Sequence, residues 1–253
     1  MQANTIDEVI EQLEAIIQQT LKDENPMGYF AVLYHQVTVN VKAGIANGYY
    51  ADGKRMEMLD VVFANRYLDA YAKFQQSLPC TQSWQYTFET TKKFWPIVLQ
   101  NLLLGINAHI NLDLGIAAVQ TCPGQGIDAL KDDFDKINTV LAGLVEDVEK
   151  SMTTIWPTFK YLLAHFSKID TFLINFSMEQ ARNGAWKFAT DLAVLDIPQQ
   201  EIAIREWDKK IAKIALLVTK PGFFISAIFL FIRIGEIGSV SKKIKALRNK
   251  KLV

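Results

Sequence analysis

Four residues of this 253-residue chain have the types and the placement to do metal or acid–base chemistry: His35, Asp60, His109 and Asp113. His109 and Asp113 stand four apart, which on a helix stacks an imidazole and a carboxylate on one face. His35 interrupts the apolar segment from Tyr29 to Asn47, and Asp60 sits within Met58-Leu59-Asp60-Val61-Val62-Phe63, where a buried acid needs a partner. Two imidazoles with two carboxylates suit zinc, iron or manganese. A divalent metal so held can lower the pKa of bound water to roughly 7 and supply hydroxide. The expectation is a metal-dependent enzyme, with hydrolysis as its candidate reaction. Asn65, Arg66, Asn107 and Asn111 are the residues expected to orient those ligands from behind. Arg66 is placed equally well as counter-ion of Asp60 or of Asp113, and a buried arginine–carboxylate pair is the simplest non-functional account of it.

Two other readings use the same residues. In one, Phe63, Trp84, Phe88, Trp95 and Trp186 wall an apolar cavity between helices, and the polar group fixes one end of a small-molecule ligand. In the other, His109, Asp113, Asp60, Arg66 and the asparagines form a closed hydrogen-bonded network that fixes helix register without catalysis.

Composition narrows the field. Only three histidines exist, and His165 lies where an imidazolium caps a helix end. Cys80 and Cys122 form no C-x-x-C pair, so a thiolate zinc site and a disulfide scaffold are both disfavoured. No His-Asp dipeptide, H-x-x-x-H or H-E-x-x-H occurs, so the metal reading has no motif behind it. G-x-S-x-G, G-x-G-x-x-G and the P-loop are also missing, which leaves no sequence support for a serine nucleophile or a nucleotide cofactor. Asp132, Asp133 and Asp135 precede a helical pattern and serve its positive end. With 27 basic and 27 acidic side chains, the zero net charge argues against a nucleic-acid partner. The acidic N-terminal stretch is not a signal peptide, which makes the cytoplasm the expected compartment.

The elements that must carry these residues read as helices. Thr5-Ile6-Asp7-Glu8 is a capping box before an amphipathic stretch to Leu21. Tyr29 to Asn47 reads as helix despite Val37, Thr38, Val39 and Val41, and Met56 to Gln76 carries a third stripe. Pro96 opens the most apolar segment, Ile97 to Val119. It is long enough to span a bilayer, but Gln100, Asn101, Asn107, His109, Asn111 and Asp113 make it the buried central helix of a bundle instead. Asn107 and Asn111 fall on the face opposite His109 and Asp113. Helical patterns resume from Asp128 to Met152 and continue in pieces to Asp196. Further helices run from Ile197-Pro198 to Thr219 and from Phe223 to Ile234. The expected architecture is all-α: a single multi-helix domain over 1–253, with nine or ten helices around the 97–119 helix. Residues 242–253 form a basic C-terminal tail. Its lysines and arginine complement a helix end or, between 242 and 251, contact an anionic membrane surface.

Several strings resemble a bacterial family known only as domain of unknown function 5995. They are Arg55-Met56-Glu57-Met58-Leu59-Asp60-Val61-Val62-Phe63-Ala64-Asn65-Arg66-Tyr67-Leu68, Trp95-Pro96-Ile97-Val98-Leu99-Gln100 and Leu104-Gly105-Ile106-Asn107-Ala108-His109-Ile110-Asn111-Leu112-Asp113-Leu114-Gly115. His35-Gln36-Val37-Thr38 and Ala181-Arg182-Asn183-Gly184-Ala185-Trp186 fit the same pattern, so the resemblance covers about residues 30 to 195. It implies one helical domain and carries no activity.

Overall fold

Helix α1 (Ile6–Lys22) begins where Thr5 turns extended backbone into helix and its side chain accepts the Glu8 N–H at 3.2 Å. The Glu8 carboxylate reaches back one residue further than a capping box requires and accepts the Asn4 N–H at 2.7 Å. The computed structural model describes residues 2–122, 126–156 and 178–248. Within them the fold is all-α, with no strand.

After α1 come α2 (Met27–Ala46), α3 (Gly53–Gln75) and α4 (Gln82–Thr91). The β-branched residues Val37, Thr38, Val39 and Val41 stay helical inside α2, where Thr38 and Val41 are buried and Val37 packs against the core, so packing overrides a weak propensity. The expected central helix is present but is not one regular helix. It divides into α5 (Val98–Ala108), a π-helical turn (His109–Asp113) and α6 (Leu114–Thr121). A 3₁₀ turn (Ile127–Leu130) leads to α7 (Lys131–Ile155), followed by α8 (Met178–Ala193), α9 (Ile197–Thr219), α10 (Phe223–Gly235) and α11 (Val240–Arg248). Asp196 and Gln199 cap α9 reciprocally, with Pro198 in its first turn. The expected break at Pro221-Gly222 is a 66° bend between α9 and α10, with Gly222 at φ +95°, a conformation that favours glycine.

The α5–α6 column sits at the centre. Helices α2, α4 and α9 pack on α5, while α3 and α8 pack on α6. Its backbone is approached closely: a Cβ added at Gly115 would lie 2.9 Å from the Ala185 carbonyl oxygen and from the Phe188 ring. One apolar cluster runs from Ala3 in the N-terminal segment to Leu247 in α11. A smaller one joins Leu112 and Ile116 to Phe188, Leu192 and Ile211.

Long-range carboxylates hold the starts of three helices. Asp133 accepts the Ala51 and Asp52 N–H groups at 2.8 and 2.9 Å ahead of α3. Asp208 accepts Gln82 and Ser83 at 2.7 and 3.0 Å at α4, and Glu236 accepts Val98 at 2.8 Å at α5. These groups satisfy N–H donors that a helix leaves unpaired and place negative charge at the positive end of its dipole. Asp133 thus serves the start of α3 as well as lying in the first turn of its own helix.

The basic C-terminal segment is a packed helix through Arg248. Ile244 and Leu247 are buried, Lys243 pairs with Glu236 at 2.9 Å, and Arg248 meets Glu14 at 2.9 Å. Lys242 and Lys245 remain exposed. Residues 249–253, the helical pieces expected between 157 and 177, and His165 lie outside the described residues.

Candidate functional site

The π-helical turn carries both candidate ligands of the central column, and α3 and α4 bring their partners. Arg66, on α3, donates through Nε to Asp113 Oδ1 at 2.8 Å. Trp84, on α4, donates its indole N–H to Asp113 Oδ2 at 2.7 Å. His109 Nδ1 lies 3.4 Å from that same Oδ2, a long contact beside two good hydrogen bonds. Asp113 is 1% exposed, so this carboxylate has exchanged water for one cation and two ring N–H partners. Burial alone would raise its pKa. The Arg66 guanidinium, with His109 and Trp84, overrides that and holds the carboxyl below the ordinary aspartate value.

Aromatic rings enclose the imidazole. Phe63 stacks on it with centroids 3.6 Å apart and planes 8° from parallel, and Tyr34 meets it edge-on at 4.3 Å. Phe30, Trp84 and Tyr67 complete the cage at 5.6, 6.0 and 6.2 Å. Helical spacing builds it: Phe30 and Tyr34 are one turn apart on α2, and Phe63 and Tyr67 are one turn apart on α3. Burial pushes the His109 pKa down, and the opposing pull of Asp113 does not restore it, so the ring is neutral at pH 7. Its Nε2 and the Tyr67 hydroxyl are buried and find no hydrogen-bond partner among the described residues.

The other expected ligands go elsewhere. His35 follows Tyr34 and is therefore turned about 100° away from the cage. It is half-buried near Glu14, 3.9 Å from that carboxylate. Asp60 shares the α3 face with Phe63 and Tyr67 but lines a separate cavity of about 30 Å³ with Tyr34, Phe63, Ile110 and Arg182. Burial, reinforced by Glu57, pushes its pKa up to about 8. Among the described residues no three His, Cys, Asp or Glu side chains are close enough together to hold a metal ion. Of the four expected ligands, His109 and Asp113 come together, while the residue of α2 that reaches the centre is Tyr34, one position before His35.

The expected supporting residues also divide. Arg66 is the counter-ion of Asp113, not of Asp60. Asn65 instead clamps the N-terminal segment, accepting the Ala3 N–H and donating to the Ala3 carbonyl, both at 2.8 Å. Asn107 donates to the Ile211 carbonyl at 3.0 Å and accepts from Asn111 at 3.0 Å, while Trp207 donates to the Asn111 carbonyl at 2.8 Å. The second polar face of the column is thus tied to α9. The aromatic wall expected for a ligand is not assembled. Phe63, Trp84 and Phe88 are buried near the cage, Trp95 is 62% exposed, and Trp186 packs on Phe134. Trp84 as the second donor to Asp113, and the Tyr34–Tyr67 pair, were not foreseen. The i, i+4 aromatic spacing on α2 and α3 was the only signal for the tyrosine pair, and nothing local marked Trp84, on α4, as a donor to Asp113.

A protein-family model aligns with residues 6–221, most of the chain and the whole of the polar centre. The chain belongs to the family of unknown function DUF5995. No curated protein and no solved structure matches it. The family match ends at Pro221, so α10 and α11 lie beyond the segment that defines this family.

Proposed function

We propose that this DUF5995 protein is a non-catalytic helical protein, in which the His109–Asp113–Arg66–Trp84 centre locks the π-helical turn of the central column to α3 and α4. The pairing of Asp113 carries this reading: both carboxylate oxygens are taken by protein donors, Arg66 Nε at 2.8 Å and the Trp84 indole N–H at 2.7 Å. The flanking cavities measure about 30 and about 10 Å³. One water occupies about 30 Å³ of liquid, whereas small-molecule sites run to roughly 300 Å³ or more. Neither of these two cavities is lined by His109, and neither has room for an organic ligand. A metal-dependent hydrolase is the weaker reading, because His35 and Asp60 do not join His109 and Asp113 around one point.

Metal analysis after reconstitution with zinc, iron and manganese tests it. The expected result is far less than one metal ion per chain. Near-stoichiometric metal that His109→Ala and Asp113→Ala both lose would overturn it.

One observation favours a second reading. Asp113 faces Nδ1 of His109, an arrangement that fixes the tautomer and leaves Nε2 as a proton acceptor, and π-helical turns recur at functional sites. That reading makes the dyad an acid–base pair reached when α2 or α3 moves aside.

A further inference from the structure

We infer that α10, with the Phe94-Trp95 loop beside it, forms a docking face for an anionic membrane surface. The inference does not depend on how the His109 centre is read.

Helix α10 is apolar on both sides. At 100° per residue, Phe223, Ala227, Leu230, Phe231 and Ile234 fall within an arc of about 100° and all are exposed, while Ile228, Phe229 and Ile232 lie opposite and are buried. The outward stripe is strongly so: Phe223 is 92% exposed, Ile234 76% and Phe231 64%. The stripe continues onto the loop before α5. Arg233 donates to the Phe94 carbonyl at 2.7 Å and its guanidinium lies 4.5 Å from the Phe94 ring centre, which sets exposed Phe94 and Trp95 at the Arg233 edge of α10. A contiguous exposed apolar patch on a folded protein marks an interaction surface.

Charge identifies the partner. Between Trp207 and Arg248 the only acids are Asp208 and Glu236, and both are buried in the helix-start contacts described above. The exposed charges of that stretch are cationic. Contacts place cations at the patch edge: Lys93 lies over the Tyr86 ring, and Tyr86 bonds Thr219, which adjoins Lys220 and the bend leading to Phe223. Lys92 and Lys93 stand exposed immediately before Phe94. Lys92 is paired with partly exposed Glu89 at 3.0 Å, which leaves Lys93 and Lys220 as the exposed cations of the rim. An apolar stripe carrying Phe and Trp, edged by these lysines and with no exposed acid between 207 and 248, is complementary to anionic headgroups over acyl chains. The helix lies on the membrane and does not cross it. Its 13 residues reach about 20 Å against a hydrocarbon core of about 30 Å, and Ile228, Phe229 and Ile232 tie it to the protein. The expected contact through 242–251 shifts accordingly: the apolar stripe of α10 carries the interaction, and exposed Lys242 and Lys245 remain on the neighbouring helix.

Co-sedimentation of the full chain with vesicles tests this, using phosphatidylcholine alone and phosphatidylcholine mixed with phosphatidylserine. The wild type is expected to pellet with the mixed vesicles and to be released by salt. Phe231→Ser with Ile234→Ser, and separately Lys92→Glu with Lys93→Glu, are each expected to weaken binding on the order of tenfold or more. All four positions are exposed, but Lys92 also pairs with Glu89, so a thermal melt of each variant separates lost binding from lost stability. Binding that is absent, or unchanged in both double variants, overturns the inference. So does a dimer without vesicles that Phe231→Ser with Ile234→Ser disperses, since a second copy would then own the face.

Discussion

The centre of the molecule and the α10 face depart from the usual distribution of side chains in opposite ways. At the centre, a carboxylate, a guanidinium, an imidazole and an indole N–H meet inside an aromatic cage. On α10, phenylalanine and isoleucine face outward. The first is closed by the protein itself: Asp113 receives hydrogen bonds on both oxygens and Arg66 supplies the opposite charge. The second is exposed among the described residues, with no exposed acid between Trp207 and Arg248. The paired Asp113 carboxylate points to structure even though His109 Nε2 and the Tyr67 hydroxyl beside it find no partner among the described residues, whereas an exposed apolar stripe points outward to a partner.

The largest effect should come from opening the closed centre. Asp113→Ala leaves the Arg66 charge and the Trp84 N–H facing a small apolar side chain, at a cost of about 3–5 kcal/mol, reduced to the extent that the partly exposed Arg66 can reach water. A denaturant midpoint measures it, and a change under about 1 kcal/mol would mean that Asp113 is not central to the network. Next come two neighbours on α10. Ile232→Ala should cost about 2–4 kcal/mol, while Phe231→Ala should stay within about 0.5 kcal/mol. Equal losses would show that both faces of the helix are packed.

Asp60 gives an intermediate, pH-dependent effect. An unfolded aspartate titrates near 4, whereas burial and Glu57 push native Asp60 to about 8. Between about pH 4 and about pH 8 the native state therefore holds a proton that the unfolded state has released, and stability falls as pH rises through that window. Asp60→Asn should flatten the fall and stabilise the protein by about 2 kcal/mol at pH 8. That is less than the full shift implies, because a buried carboxamide still lacks partners. Parallel wild-type and variant stability curves across pH 5 to pH 8 would remove Asp60 as their source. The smallest change is His35→Ala, expected within about 0.5 kcal/mol because its contact with Glu14 is long and partly solvated.

Much of this architecture was legible because helical periodicity is local. The stripes from Ile6 to Leu21 and from Met56 to Gln76, and the Pro221-Gly222 break, all follow from spacing and caps. The polar centre was half legible. The interval between His109 and Asp113 placed both on one face, and Arg66 stood among the candidates. What spacing could not show was rotation between elements: a single residue separates Tyr34, in the cage, from His35, outside it. The π-helical turn was equally hidden, since one apolar run suits an α-helix and a π-helical turn alike. Asp133, Asp208 and Glu236 cap helices from far along the chain, so no local pattern announces them.

Carbethoxylation of the folded protein by diethyl pyrocarbonate, read by peptide mass spectrometry at His35 and His109, tests the closed centre most directly. The side chain of His35 is 23% exposed and that of His109 is 3%. The account predicts that His35 reacts under native conditions, while His109 stays unmodified until denaturant unfolds the chain. Modification of His109 at a rate comparable to that of His35 in native buffer would contradict it, and would show that solvent and small reactive molecules reach its free nitrogen.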